Sequence, residues 1–338
     1  MRRLFALMRL LSWRLSCLIF PLRLRMLGVL MVGCLVAWPA AGQFRARPPK
    51  TVQPASGTPV AAPLSDPPAV RVKLFQAAIL ANSFKDSEAL AVYQDVLKTS
   101  PSHYLALWQA AVLSVKIGSR YSDETRKSAY FDAARQYADR ALQLQPEGGE
   151  SNYAVAVALF NQATLYRSGA RLEAFRDLRS HVYLATERRP DLAEAWQLLG
   201  RWQYRVAHYS LVERIYSKLV LGGVPAGGDS REAALNLRKA HELAPQNLQI
   251  CYDLARVYRY QGSRRRAIAV LREAEKITPI TNEDLVVSRL CYKMLPPLLR
   301  ADARRQKRRV KQHRATVASA LPRVDSRRAT ADTVRREQ

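Results

Sequence analysis

The sequence predicts an all-α solenoid of antiparallel helix pairs stacked along residues 69–295. Three observations lead there. From residue 69 onward, apolar residues recur with helical rather than alternating spacing. Small residues recur at fixed places within that pattern, as in Cys251-x-x-Leu254-Ala255-x-x-Tyr258 followed by Ala267-x-x-x-Leu271-x-x-Ala274. Four prolines, Pro101, Pro146, Pro190 and Pro245, each close one copy of this phrase, and the next helix enters register six residues later, at Leu107, Asn152, Trp196 and Cys251. A chain of 338 residues with 48% hydrophobic content is enough to bury such a core.

The N-terminal segment, residues 1–42, reads as an address. It carries six arginines and no acid, and it contains the uncharged run Met26–Gly42 with Arg23 and Arg25 before it and Ala40-Ala41-Gly42 at its end. This is the order of a signal peptide's basic region, apolar region and cleavage site. Seventeen uncharged residues fall short of the roughly 20 that a membrane span requires. Cleavage near Gln43 is therefore the expectation, with a retained N-terminal anchor as the alternative. Residues 43–68 hold seven prolines and few large apolar groups, the composition of an extended, solvated linker.

The helical copies then follow in sequence. The first closes with Ala89, Tyr93, Val96 and Pro101. The second closes with Ala134, Ala138, Ala141 and Pro146, and the third with Leu178, Val182, Ala185 and Pro190. The fourth opens on Trp196-x-x-Leu199-Gly200 and closes with Ala233, Leu237, Ala240 and Pro245; the fifth ends at Pro279. Small inner residues let paired helices approach closely, and large ones fill the spaces between pairs. Trp196 and Gly200 are accordingly packing residues.

From inner position to inner position the fifth copy spans 12 residues, whereas the second, third and fourth span 23, 22 and 33, which implies insertions of 11, 10 and 21 residues. The largest contains the helical stretch Tyr209–Leu219 and the glycine-rich turn Leu221–Gly228, after which Asp229 and Glu232 are spaced as a capping box. Thr281–Leu295 reads as a capping helix ended by Pro296-Pro297. Residues 296–338 read as a basic, largely disordered tail.

The phrase resembles the tetratricopeptide repeat. That resemblance implies a right-handed α-solenoid of five helix pairs, here with inserted helices and a C-terminal capping helix. The decorations are similar, more narrowly, to the bacterial branch of the regulator-of-microtubule-dynamics-like tetratricopeptide family. They comprise Gly118-Ser-Arg-Tyr-Ser-Asp123 with Tyr130-Phe131, Ser151–Ala158, Leu199-Gly-Arg-Trp202 with Val206-Ala207, and Leu221-Gly-Gly-Val-Pro225. The second resemblance covers roughly residues 70–295 and implies fold and order of elements. It implies no catalytic residues, and for an exported bacterial protein no contact with microtubules.

Charge and motifs narrow the function classes. The net charge of +26 divides into +6 over residues 1–42, +12 over 43–300 and +8 over 301–338, so the whole chain is basic and its ends most of all. Such a surface favours acidic partners. The histidines 103, 181, 208, 241 and 313 are scattered, and neither H-E-x-x-H nor G-x-S-x-G occurs. The glycine-rich turn lacks a following Gly-Lys-Ser/Thr and is read as a turn. No enzyme, metal site or cofactor is expected. Cys251 and Cys291 are expected to be buried, unpaired thiols.

What remains is a surface. In this repeat the first helix of each pair lines the concave face, with positions one, five, eight and nine after the register residue pointing into it. The second copy contributes Trp108, Val112, Val115 and Lys116, and the third contributes Tyr153, Val157, Phe160 and Asn161. The fourth contributes Gln197, Arg201, Tyr204 and Arg205, and the fifth Tyr252, Arg256, Arg259 and Tyr260. This register gives a groove that is apolar at one half and basic with tyrosines at the other. Arg201, Arg205, Arg256 and Arg259 are the candidate holders of an acidic or C-terminal peptide, with Tyr204, Tyr252 and Tyr260 packing on its stem. The alternative is that these arginines pair with acids such as Asp253 or pack against the inserted helices. The basic tail offers a second mode of binding, to anionic lipid, with nucleic acid an unlikely partner for an exported protein.

Overall fold

The computed structural model describes residues 66–320, with side chains described to residue 316. Among these residues there are twelve helices and no strands. The helices are α1 (Pro68–Asn82), α2 (Asp86–Thr99), α3 (Tyr104–Arg120), α4 (Glu124–Leu144), α5 (Gly149–Gln162), α6 (Ser168–Arg188), α7 (Ala193–Ala207), α8 (Leu211–Val220), α9 (Ser230–Leu243), α10 (Leu248–Tyr260), α11 (Arg264–Ala274) and α12 (Asn282–Ala320). The expected signal peptide of residues 1–42 and nearly all of the expected linker lie outside the described residues.

The repeat frame accounts for the architecture. After each of Pro101, Pro146, Pro190 and Pro245 a helix begins on the third residue, opening α3, α5, α7 and α10. The pairs are α1/α2, α3/α4, α5/α6, α7/α9 and α10/α11, and α12 packs on the last. The first helices of successive pairs also touch one another, α3 to α5, α5 to α7 and α7 to α10, so they form one continuous inner layer. The alanine positions sit where helices meet: Ala111, Ala134, Ala156, Ala233, Ala255 and Ala267 are fully buried.

Gly200 explains why the fourth pair needs its glycine. A Cβ there would lie 2.6 Å from Leu237 Cγ and 3.0 Å from the Ala233 carbonyl, so α7 and α9 approach across a surface that has no room for a methyl group. Trp196 is half-buried and donates its indole N–H to the Pro190 carbonyl at 2.9 Å. Both are packing residues, as the repeat requires.

Three expectations are corrected. The insertions of the second and third copies form no separate helices; they lengthen α4 and α6, each of which spans 21 residues. Only the insertion of the fourth copy makes a helix of its own, α8. Asp229 does cap α9, but its carboxylate accepts from the N–H of Arg231, and Glu232 does not close a box. The capping box belongs to α8, where Ser210 and Glu213 each accept from the other's backbone N–H.

The third correction concerns Pro296-Pro297, which do not end the last helix. α12 runs through them for 39 residues. Its buried stripe of Val287, Cys291, Met294, Leu295 and Leu298 continues past the proline pair at helical spacing, while both prolines face solvent. The prolines remove the donors to the carbonyls of Tyr292 and Lys293, both exposed residues, and burial of Leu298 offsets the loss. The basic segment up to residue 320 is therefore helical; residues 321–338 lie outside the described region.

Candidate functional site

The inner layer carries a cleft of about 240 Å³. It is lined by Phe160 at the end of α5, Arg171 and Phe175 on α6, Arg201 and Arg205 on α7, and Asp253 and Arg256 on α10. Helical spacing accounts for the pairing within each element: 171 with 175, 201 with 205 and 253 with 256 are three or four apart and share a face.

Each arginine is held by an aromatic face, an acid or both. Arg201 lies over the Phe160 ring at 4.8 Å and 3.7 Å from Asp253. Arg256 lies over Tyr252 at 5.6 Å and 3.9 Å from the same carboxylate. Asp253 is itself buried and accepts from Gln197 at 2.9 Å and Gln249 at 3.2 Å, which fixes it as the anchor between the two guanidinium groups. Arg205 donates to Glu213 of α8 at 2.5 Å and stacks over Phe175 and Tyr209 at 5.8 and 5.2 Å. Arg171 reaches the same Glu213 at 3.4 Å. Burial pushes the Glu213 carboxyl up, but the Arg205 guanidinium and the Ser210 N–H outweigh it and hold it below the ordinary carboxylate range.

Four arginines thus meet two carboxylates. The Arg171 Nε and the Tyr209 hydroxyl are buried with no hydrogen-bond partner among the described residues. Burial raises the Tyr209 phenol to about 12, so that hydroxyl stays a donor across the physiological range.

The seven residues singled out by repeat register divide into two groups. Arg201, Arg205 and Arg256 share the cleft, with Tyr252 beneath Arg256. Tyr204 and Tyr260 belong instead to an aromatic cluster with His208, whose ring centroid lies 4.1 Å from Tyr204 and 3.9 Å from Tyr260. Arg259 is exposed and outside the cleft lining. Register alone missed Arg171, Phe175 and Glu213. Arg171 and Glu213 sit in the insertions of the third and fourth copies. The signals that could have found them are the insertion length, which carries α6 over the groove, and the Ser210-x-x-Glu213 capping spacing.

The far half of the inner layer has a different character. Asp86, buried at the first turn of α2, accepts from Lys116 at 2.9 Å and from Arg120, and Arg120 also donates to Glu283 of α12 at 2.6 Å. The lysine expected in the groove is committed to this network. The network also joins the second repeat to the start of the last helix.

Comparison with known proteins places the chain. The family described as Regulator of microtubule dynamics protein 1-3 matches residues 74–299. The chain belongs to this family. Regulator of microtubule dynamics protein 3 of Rattus norvegicus is 28% identical over 180 residues, which is 53% of this chain and 38% of the relative. The Xenopus laevis protein of the same name is 24% identical over 195 residues, 57% of this chain and 42% of its own. The chain therefore spans less than half the length of these relatives. Among solved structures, a thermophilic TPR protein of Thermus thermophilus is 16% identical and aligns with 67% of this chain and all of its own, at a TM-score of 0.49. The family match covers all five helix pairs except the first turns of α1, and it includes every residue of the arginine cleft.

Proposed function

We propose that this protein is a non-enzymatic interaction scaffold whose arginine cleft holds an acidic side chain or the C-terminal carboxylate of a partner peptide. One observation carries the reading: Arg171, Arg201, Arg205 and Arg256 converge on one small cleft against only Asp253 and Glu213. Guanidinium groups match carboxylates in planar, two-pronged geometry, and the phenyl rings of Phe160 and Phe175 supply an apolar floor. At about 240 Å³ the cleft suits one side chain or chain terminus and is below the usual size of a cofactor site. Residues 1–42 deliver the scaffold to the periplasm or the membrane-associated envelope.

The test is titration of fluorescent peptides ending in acidic residues, each with a free and an amidated C-terminus. Arg201→Ala with Arg256→Ala should weaken capture by more than about tenfold, roughly 1.4 kcal/mol or more, while Arg259→Ala should leave it nearly unchanged. Equal binding by the double variant and the native chain would overturn the reading. Loss on amidation assigns the terminal carboxylate; no loss assigns acidic side chains.

A second reading rests on α12, which between Arg300 and Arg314 carries eight Lys/Arg against Asp302 alone, all on an exposed helix. Binding of polyanions there would fall steeply with salt and would be lost on truncation after Arg300, whereas peptide capture in the cleft would survive both.

A further inference from the structure

α8 is an amphipathic helix mounted the wrong way round for a soluble protein. Its inner side is polar: Glu213 pairs with Arg171 and Arg205, and Ser217 is fully buried. Its outer side is aliphatic. Leu211 is 74% exposed, Val212 75%, Ile215 51%, Leu219 79% and Val220 57%. Positions 211, 212, 215 and 219 fall on one face at helical spacing. An ordinary surface helix turns such a stripe to the core, and contiguous exposed aliphatic surface of this kind marks an interaction site.

The occupant is constrained by what this face lacks. The only acid of α8 is turned inward and neutralised, so the charges left outside are cationic, Arg214 and Lys218. Arg214 braces the helix by donating to the Tyr209 and Ala207 carbonyls. Lys218 makes no ion pair or hydrogen bond among the described residues. The exposed aliphatic positions include no aromatic anchor of the kind that dominates protein interfaces, since Tyr216 is turned toward Gly169 of α6, and the cleft between α6 and α8 reaches this face only at Val212. A second copy docked on it would bring cations against cations with no acid to pair them. A bilayer with anionic headgroups supplies what fits, an apolar layer beneath a negatively charged plane. The helix is preformed by its capping box and spans about 15 Å. This is far too short to cross a membrane but is suited to lie in its surface.

We propose that α8 is a membrane-docking helix that inserts Leu211, Val212, Ile215 and Leu219 into the interfacial layer of an anionic bilayer, with Lys218 at the headgroups. The site is separate from the peptide cleft, whose residues face inward from α8's opposite side.

The test reads the local environment of α8 in the full chain, so that membrane attachment by residues 1–42 does not obscure it. With Cys17 and Cys34 replaced by serine, Leu219→Cys is labelled with a polarity-sensitive fluorophore; Cys251 and Cys291 are buried and stay unlabelled. The expected result on vesicles of phosphatidylcholine and phosphatidylglycerol is a blue shift and a rise in emission, quenched by lipid carrying a nitroxide high on the acyl chain. The same fluorophore at Glu187→Cys on α6 should not respond. Ile215→Glu, with the label moved to Val212→Cys, should abolish the shift and leave the thermal unfolding midpoint nearly unchanged, because residue 215 is 51% exposed and is not one of the buried core residues. An unshifted Leu219→Cys label on vesicle-bound protein would overturn the proposal. So would a shift that needs no vesicles and grows with protein concentration, which would assign the face to a second copy.

Discussion

Glu213 and Arg205 join the inserted helix to the repeat: the carboxylate of α8 accepts the guanidinium of α7 at 2.5 Å. The pair serves two surfaces at once. It turns the polar side of α8 inward and so leaves the aliphatic side out, and it neutralises one of the arginines around the cleft. Glu213 is only 11% exposed, so its charge is paired rather than hydrated.

Replacing Glu213 with Gln should therefore destabilise the protein at neutral pH by about 1–3 kcal/mol, since the amide keeps one acceptor oxygen but loses the charge that Arg205 and Arg171 share. The pH dependence follows from the direction of the shift. Glu213 has a folded-state value below its ordinary 4.5, so its contribution is fully present above that value. It is lost as pH falls through the lowered folded value. Urea unfolding at pH 7 should separate native and E213Q, and the two should converge as the pH is taken below 4. A gap that stays constant down to pH 2 would mean that the carboxylate charge is not what holds α8.

Two glycine substitutions should separate packing from backbone strain. Gly200→Ala would ordinarily gain up to about 1 kcal/mol in a helix interior. Here the added methyl group meets Leu237 and the Ala233 carbonyl, and an overpacking cost of about 1–3 kcal/mol reverses the sign. Gly222→Ala meets nothing within 4 Å, but its φ of +74° lies in the left-handed region, which costs about 1 kcal/mol for an L-residue. Chemical denaturation should rank Gly200→Ala as the more damaging, and a stabilised Gly200→Ala variant would contradict the close approach of α7 and α9.

The sequence was readable wherever one residue type serves one local purpose. A proline that ends a copy also fixes where the next helix starts, so α3, α5, α7 and α10 were placed from four residues. Gly200 was readable because a helical glycine amid alanines signals a near neighbour. The cleft was half readable: register aimed Arg201, Arg205 and Arg256 inward, but it assumed that first helices alone build the face. Arg171 reaches the cleft because α6 was lengthened, and the segment Arg167-Ser-Gly-Ala-Arg171 reads locally as a turn. Tertiary packing makes it helix, with Gly169 under Tyr216 of α8, where a Cβ would stand 2.8 Å from the tyrosine hydroxyl. The continuation through Pro296-Pro297 was hidden for the same reason, since the local penalty is plain and the buried Leu298 that offsets it is visible only in three dimensions.

The thiols give a probe of the fifth pair. Burial, with a smaller contribution from Cys291, pushes Cys251 up to about 12, and burial pushes Cys291 up to about 11. At pH 8 about one Cys291 in a thousand, and fewer Cys251, would be thiolate, and the thiolate is the reactive form. Iodoacetamide at pH 8 followed by peptide mapping should leave both unmodified in the folded chain and modify both in urea. Rapid alkylation of either in the absence of denaturant would show that α10 and α12 separate in solution.

Asp86 and Glu283 hold Arg120 from opposite sides, and their substitution should cost very different amounts. The Asp86 side chain is fully buried, whereas Lys116 and Arg120 are 42% and 30% exposed and Arg120 keeps Glu283, so Asp86→Ala removes the acceptor the two cations share and should destabilise by about 1–3 kcal/mol. Glu283 is 46% exposed, and its bond to Arg120 is an ion pair in water, worth less than about 1 kcal/mol. Yet Glu283 is the one of the two that ties α12 back to the second repeat, across 163 residues of chain. Glu283→Ala should therefore leave the unfolding midpoint nearly unchanged while speeding amide exchange in the first turns of α12, because local opening there no longer breaks the bond to Arg120. Asp86→Ala should instead lower the midpoint and accelerate exchange in α2 and α3. Equal loss of stability in the two variants would mean that the contact between α3 and α12 carries more of the fold than its exposure allows.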